Sequence, residues 1–93
     1  MWPEFEVVLT DRAIADLDAL PLKVRLQVSQ DIASLVRDPL PSHPGAKKLK
    51  GYRPPLYRLR AGDYRVLYRV SQQRVTVLRV IDRRVLGRSL ERF

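Results

Sequence analysis

Leu56-Tyr57-Arg58-Leu59-Arg60-Ala61-Gly62-Asp63-Tyr64-Arg65-Val66-Leu67-Tyr68-Arg69-Val70 decides the fold. Apolar and polar residues alternate on both sides of Gly62-Asp63, which is the period of a β-strand. A two-residue loop with glycine first suits a type II′ hairpin turn. That register sets Ala61 opposite Tyr64, Arg60 opposite Arg65, Leu59 opposite Val66, Arg58 opposite Leu67 and Tyr57 opposite Tyr68. One face then carries Tyr57, Leu59, Val66 and Tyr68 and reads as core. The other carries Arg58, Arg60, Arg65 and Leu67, with Arg69 further along. Like charges directly across a strand pair are destabilising, so the facing arginines point to an anion that fills the cluster.

Working outward, Val75–Ile81 reads as a third strand after the polar turn Ser71-Gln72-Gln73, and Phe5–Leu9 as a strand near the N-terminus. Thr10 is placed as a helix N-cap with Asp11 in the first turn. Ala13, Ile14, Leu17 and Leu20 follow helical spacing up to Pro21. A second helix is expected over Leu22–Val36, ended by Asp38-Pro39. Residues 39–55, with five prolines and two glycines, read as an irregular connector. Leu86 and Leu90, one turn apart, suggest a short C-terminal helix or tail. The expected architecture is one α+β domain over residues 1–93, β-α-α-β-β-β, with two helices packed on an antiparallel sheet.

Composition narrows the function. The 93 residues carry a net charge of +8 and no cysteine, which excludes disulfides, zinc thiolates and thiol catalysis. A single histidine, His43, leaves no metal site and no cofactor in view; it reads as a surface loop residue. No stretch approaches the roughly 20 apolar residues of a membrane span, and the start Met1-Trp2-Pro3-Glu4 lacks the pattern of a signal peptide. A cytoplasmic domain with no membrane partner is the expectation. Charge is concentrated: residues 1–45 hold four bases against seven acids, residues 46–93 fourteen bases against three. Such asymmetry marks a polyanion-binding half, with nucleic acid the default partner. Lys47, Lys48 and Lys50 are candidate phosphate contacts, and Tyr52 a candidate for base stacking. Tyr57, Tyr64 and Tyr68 share the core parity, and Trp2 is expected to pack near a sheet edge.

The segment Lys48-Leu49-Lys50-Gly51 followed by Leu56–Val70 resembles the central signature of the RelE/ParE superfamily of bacterial toxin–antitoxin toxins. Leu9-Thr10-Asp11-Arg12-Ala13, with Asp16-Leu17 and Leu20-Pro21, is similar to the opening helix of that family. The resemblance implies a RelE-like fold and a toxin neutralised by a cognate acidic RelB-like antitoxin, the complex binding operator DNA through the antitoxin. For a RelE-type member it implies metal-independent cleavage of mRNA on the ribosome, by attack of a ribose 2′-hydroxyl on the adjacent phosphate. By the same resemblance, Arg58 and Arg60 match a basic pair on the strand and Arg65 a phosphate-binding arginine. Arg83 or Arg84 matches the basic residue after the last strand. Asp82 stands where many members have histidine and Gly87 where they have tyrosine. Arginine stabilises charge but is a poor base at neutral pH, and Asp82 reads as an ion-pair partner. A ParE-type inhibitor of DNA gyrase that cuts no RNA is therefore the alternative, with a plain RNA-binding module third.

Overall fold

The computed structural model describes residues 4–41 and 43–86. Strand β1 (Glu6–Leu9) leads into helix α1 (Asp11–Asp18) and helix α2 (Leu22–Ala33). Four more strands follow: β2 (Ala46–Leu49), β3 (Leu56–Ala61), β4 (Tyr64–Ser71) and β5 (Arg74–Asp82). They form a single sheet in the order β1-β5-β4-β3-β2. Trp2, Gly87 and Leu90 lie outside the described residues.

The β3–β4 register is the one the alternation predicts, from Tyr57 opposite Tyr68 to Ala61 opposite Tyr64. Gly62 supplies the positive φ (60°) that a type II′ turn needs at its first loop position. The N-cap reading also holds. Thr10 Oγ1 accepts from Ala13 N (3.1 Å) and donates to Leu78 O (3.0 Å), so one hydroxyl starts α1 and fastens it to β5. Arg25 closes the same helix, its NH2 group donating to the carbonyls of Leu20 (3.1 Å) and Asp18 (3.4 Å).

Three features depart from the sequence reading. The sheet is mixed: β1 runs parallel to β5, because the helical hairpin carries the chain across before the antiparallel meander begins. Residues 46–49, expected as irregular connector, form the edge strand β2, paired antiparallel with β3. Two lysines in four residues mute its strand signal, and short, lysine-bearing strands are typical of sheet edges. The second helix stops at Ala33 and tightens into a 3₁₀ turn over Ser34–Val36. At the C-terminal end a 3₁₀ turn, Arg83–Val85, follows β5.

Both faces of the sheet carry apolar clusters. Ala13, Leu17, Val28, Ile32 and Leu35 of the helical layer pack on Leu59, Val66, Tyr68, Val75, Val77 and Val80. Tyr68 is fully buried, stacks on Tyr57 (centroids 5.6 Å apart) and donates its hydroxyl to Pro39 O at 2.6 Å. On the other face Leu56, Leu67 and Ile81 form a smaller cluster covered by Leu49, Tyr52, Leu78, Val85 and Leu86. Leu67, the one apolar residue expected on the arginine face, therefore lies in a dry patch at its centre.

β5 continues past the end of β1, and the extra residue Leu78 shifts its register against β4. The unpaired edge is closed by Asp16 of α1, whose Oδ2 accepts from Val80 N (2.9 Å) and from Arg79 Nε (2.8 Å) while Oδ1 accepts from Arg79 NH2 (3.2 Å). One carboxylate thus covers a bare strand edge and pairs with a partly buried cation. Hydrogen bonds to charged groups contribute about 1.5–3 kcal/mol. Asp16→Ala is expected to cost about 2 kcal/mol and lower the midpoint of thermal unfolding by roughly 8–16 °C in a chain of this size. Asp16→Asn, which keeps an acceptor for Val80 N, should lose about half of that.

Candidate functional site

The β3–β4 hairpin end of the sheet gathers the cations. Arg60 and Arg65 are cross-strand partners, and Arg58 is the next residue of β3 on the same face. Arg83 follows β5, and its amide donates to Asp63 O in the hairpin loop at 2.9 Å, which brings the chain after β5 to the same corner. Burial pushes the Arg65 guanidinium below the ordinary arginine pKa, and Arg58, Arg60 and Arg83 push the same way, only partly opposed by Asp63. Arg58 is lowered too, by burial and then by Arg60. Burial is the largest cause of both shifts; the remainder, crowded like charge, is what a bound anion relieves.

The cluster is held by backbone carbonyls. Arg65 NH1 donates to Gly62 O and to Tyr64 O, both at 2.9 Å. Arg58 NH1 donates to Gly45 O at 3.0 Å, and the same carbonyl accepts from Arg60 N at 3.1 Å. In each tethered guanidinium the NH1 corner is spent. The Nε–H and NH2 edge remains, a fork that matches two oxygens of a phosphate. The arginines are oriented, not splayed.

Of the residues singled out from sequence, Arg58, Arg60, Arg65 and Arg83 come together. Arg84 does not: it pairs with Asp82 (NH2 to Oδ2 2.8 Å, Nε to Oδ1 3.0 Å). Asp82 also accepts from Arg84 N at 2.8 Å, capping the 3₁₀ turn. These contacts hold its carboxyl down to about 2 and confirm its role as an ion-pair partner. Lys47 is the cross-strand neighbour of Arg58 and joins the cationic face. Lys48 pairs with Tyr57 and so takes the helix-side parity. Lys50 and Tyr52 line an open groove with Leu49, Gly51 and Arg53 at the other end of β2. Tyr52 packs against the second apolar cluster, so its ring is in part a structural lid. His43 is half-buried rather than a free surface residue: Nε2 lies 2.8 Å from Ser34 Oγ and Nδ1 2.7 Å from Pro44 O.

Gly45 is the functional position that sequence reasoning misses. Its φ of +85° is left-handed, and a Cβ there would lie 3.5 Å from Arg60 Cβ. Glycine in a proline-rich loop carries no sign of this; the tether becomes visible only once β2 is paired with β3. Among the described residues no group of three or more His, Cys, Asp or Glu could hold a metal ion, and no helix is long and apolar enough to cross a membrane.

A family model described as the ParE toxin of the parDE type II toxin–antitoxin system matches residues 7–86. The structure resembles RelE in an archaeal RelE–RelB complex from Pyrococcus horikoshii OT3, with TM-score 0.72 and 28% identity, covering 85% of this chain and 94% of that one. It also resembles the RelBE2 toxin–antitoxin complex from Mycobacterium tuberculosis, with TM-score 0.74 and 30% identity over 85% and 98% of the two chains. A chromosomal ParDE system from P. aeruginosa shares the fold at TM-score 0.51 and 21% identity, over 84% and 95%. No curated protein sequence matches.

Two outcomes test the site itself. Inorganic phosphate should raise the melting temperature of the protein more than chloride at equal ionic strength, since an anion that binds only the folded state stabilises it by mass action. Arg60→Ala should abolish that difference while melting no lower in chloride, having lost a repulsive neighbour. The Asp82–Arg84 pair has a separate pH signature. A carboxyl depressed in the folded state stabilises above its unfolded pKa, near 3.9, and loses that contribution as pH falls through about 2. The melting curves of the native protein and Asp82→Asn should differ from about pH 5 upward and converge towards pH 2.

Proposed function

Because the chain belongs to the ParE toxin family of type II toxin–antitoxin systems, within the RelE/ParE superfamily, we propose that it is a ribosome-dependent mRNA endonuclease of the RelE type. The observation that carries this reading is the hairpin corner, where four guanidiniums converge and two are aimed by backbone carbonyls. Such a site binds the scissile phosphate and stabilises the extra negative charge of a pentacoordinate transition state. The ribose 2′-oxygen bonds to phosphorus while the bond to the 5′-oxygen breaks, leaving a cyclic phosphate and a 5′-hydroxyl. No metal or cofactor enters this scheme.

Proton traffic divides unequally. Arg58 and Arg65, tethered by backbone carbonyls, donate hydrogen bonds that stabilise charge on the departing 5′-oxygen, whose proton comes from water. Among the described residues the nearby carboxylates face arginines and the histidine is tied down: Asp82 is held by Arg84, Asp63 lies 3.8 Å from Arg83 Nε, and His43 contacts Ser34 and Pro44. Removal of the 2′-hydroxyl proton falls to a group met on the ribosome, which makes cleavage ribosome-dependent. Lys47 extends the phosphate contacts along β2, and Lys48, Lys50 and Tyr52 guide the strand at its far end.

The partner that silences the toxin is an acidic antitoxin segment laid over the arginine face in the cytoplasm, with operator DNA bound through the antitoxin. The related structures from P. horikoshii and M. tuberculosis are themselves toxin–antitoxin complexes. A second reading, inhibition of DNA gyrase without RNA cleavage, is favoured by the ParE description of the matching family model.

Arg65→Ala is the test. Arg65 lies on the face away from the main core, so the variant should melt like the native protein. Ribosome-programmed cleavage should fall by about 10²–10³-fold, the cost of removing one donor aimed at developing oxyanion charge. Arg74→Ala at the opposite end of the sheet, where Arg74 pairs with Glu6 at 2.9 Å between exposed side chains, should cut at the native rate. A normally melting Arg65→Ala protein that cuts at full rate overturns the site assignment. Native protein that cuts no ribosome-bound message but inhibits gyrase supercoiling establishes the second reading.

A further inference from the structure

Arg69 lies on the same sheet face as the arginine corner but outside it. β4 alternates regularly, with Val66, Tyr68 and Val70 towards the helices, so Arg65, Leu67 and Arg69 point the other way. Thr76 is its cross-strand partner on β5. On the β3 side it is flanked by Leu56, the residue before Tyr57, itself the partner of Tyr68. Neither neighbour carries a charge. The residue is half-buried, and its Nε is fully buried with no hydrogen-bond acceptor among the described residues.

Among the described residues only Arg25 and Arg69 bury an Nε without an acceptor. Arg74, Arg79, Arg83 and Arg84 each face a carboxylate. Arg58 and Arg65 are tethered to carbonyls. Arg25 also has a buried Nε without a partner, but its NH2 group closes α1 on two carbonyls. No such contact engages Arg69 among the described residues. A buried guanidinium donor without an acceptor costs the fold its desolvation and returns nothing to it. A methionine would fill the same space between Leu56 and Thr76 without that cost.

Position says what the outer end of the guanidinium can meet. Arg69 stands four residues along β4 from Arg65, a separation of about 13 Å at strand spacing. Leu67, buried in the second apolar cluster, lies between them. Among the described residues the face thus presents a cationic corner, a dry stripe, and a further cation in line with the corner. A stacked single strand advances roughly 3.4 Å per nucleotide, so about four nucleotides separate the two cationic points. We propose that Arg69 is a second phosphate site, which grips an RNA strand some four nucleotides from the phosphate held by Arg58, Arg60, Arg65 and Arg83. The inference rests on the RNA reading above and deepens it: the substrate is a strand held at two points, not one phosphate at one corner. The fork that suits this task is the outer end of the guanidinium, NH1 and NH2, since Nε is buried; it takes two phosphate oxygens at once.

The experiment compares two uncleavable probes, a 2′-O-methyl uridine dinucleotide and the corresponding hexanucleotide, by fluorescence anisotropy over a salt titration. The dinucleotide reaches the corner alone; the hexanucleotide spans both points. Arg69→Met should bind the hexanucleotide about tenfold more weakly than the native protein. The slope of log affinity against log salt should fall by about 0.7 in magnitude, the value of one phosphate contact on a single strand. Dinucleotide affinity should not change, and the variant should melt at the native temperature or above it. Arg69→Lys, which keeps the charge but loses the fork, should retain the salt slope and recover part of the affinity.

Native protein that binds the hexanucleotide, with Arg69→Met binding it equally well, overturns the proposal and leaves the RNA reading standing. So does equal weakening of both probes, which reports a general loss of field. A lowered melting temperature in Arg69→Met makes the residue structural and overturns it too. Decaglutamate affinity that falls in Arg69→Met while hexanucleotide affinity holds assigns Arg69 to an acidic protein partner instead. Native protein that binds neither oligonucleotide overturns the RNA reading itself.

Discussion

Everything on the cationic face depends on the register of one hairpin. Because side chains alternate with period two, a slip of one residue by β4 against β3 would carry Val66 and Tyr68 to the outer face and turn Arg65 and Arg69 into the core. Gly62 fixes the turn, and the stacked Tyr57–Tyr68 pair, anchored on Pro39, locks the far end of the ladder. The same lock that buries two aromatic rings therefore sets Arg60 against Arg65. Stability and repulsion are written into a single alternation, and the first is large enough to hold the second in place.

Much of this was legible in sequence for a simple reason: it is local. The alternation of Leu56–Val70, the glycine at its centre and the threonine cap before Asp11 act over a few residues each, and the structure follows them. What escaped was decided at a distance. Nothing within Glu6–Leu9 says that its neighbour will be β5, running parallel. Ala46-Lys47-Lys48-Leu49 has the composition of a loop and becomes a strand only because β3 offers it an edge.

The site divides along the same line. The facing of Arg60 and Arg65 follows from hairpin arithmetic alone. The choice between Arg83 and Arg84 does not: it turns on which arginine Asp82 takes, and the 3₁₀ turn after β5 gives it Arg84. The second apolar cluster was hidden because Tyr52, Val85 and Leu86, which help to cover it, come from segments far apart in sequence. A face that reads as arginines with one leucine is in fact a cationic rim around a dry centre.

The carbonyl of Gly45 has a mechanical consequence. It is the last backbone acceptor before the outermost strand, and it holds the amide of Arg60 and the side chain of Arg58 together. β2 is four residues long and borders no further strand among the described residues. Any force that peels this strand away from β3 removes that acceptor, frees Arg58 to swing and opens the ladder beside Arg60 in one motion. The sheet's weakest edge and its charged corner are thus joined at a single latch, so that the geometry of the guanidiniums can be undone from the side without touching them.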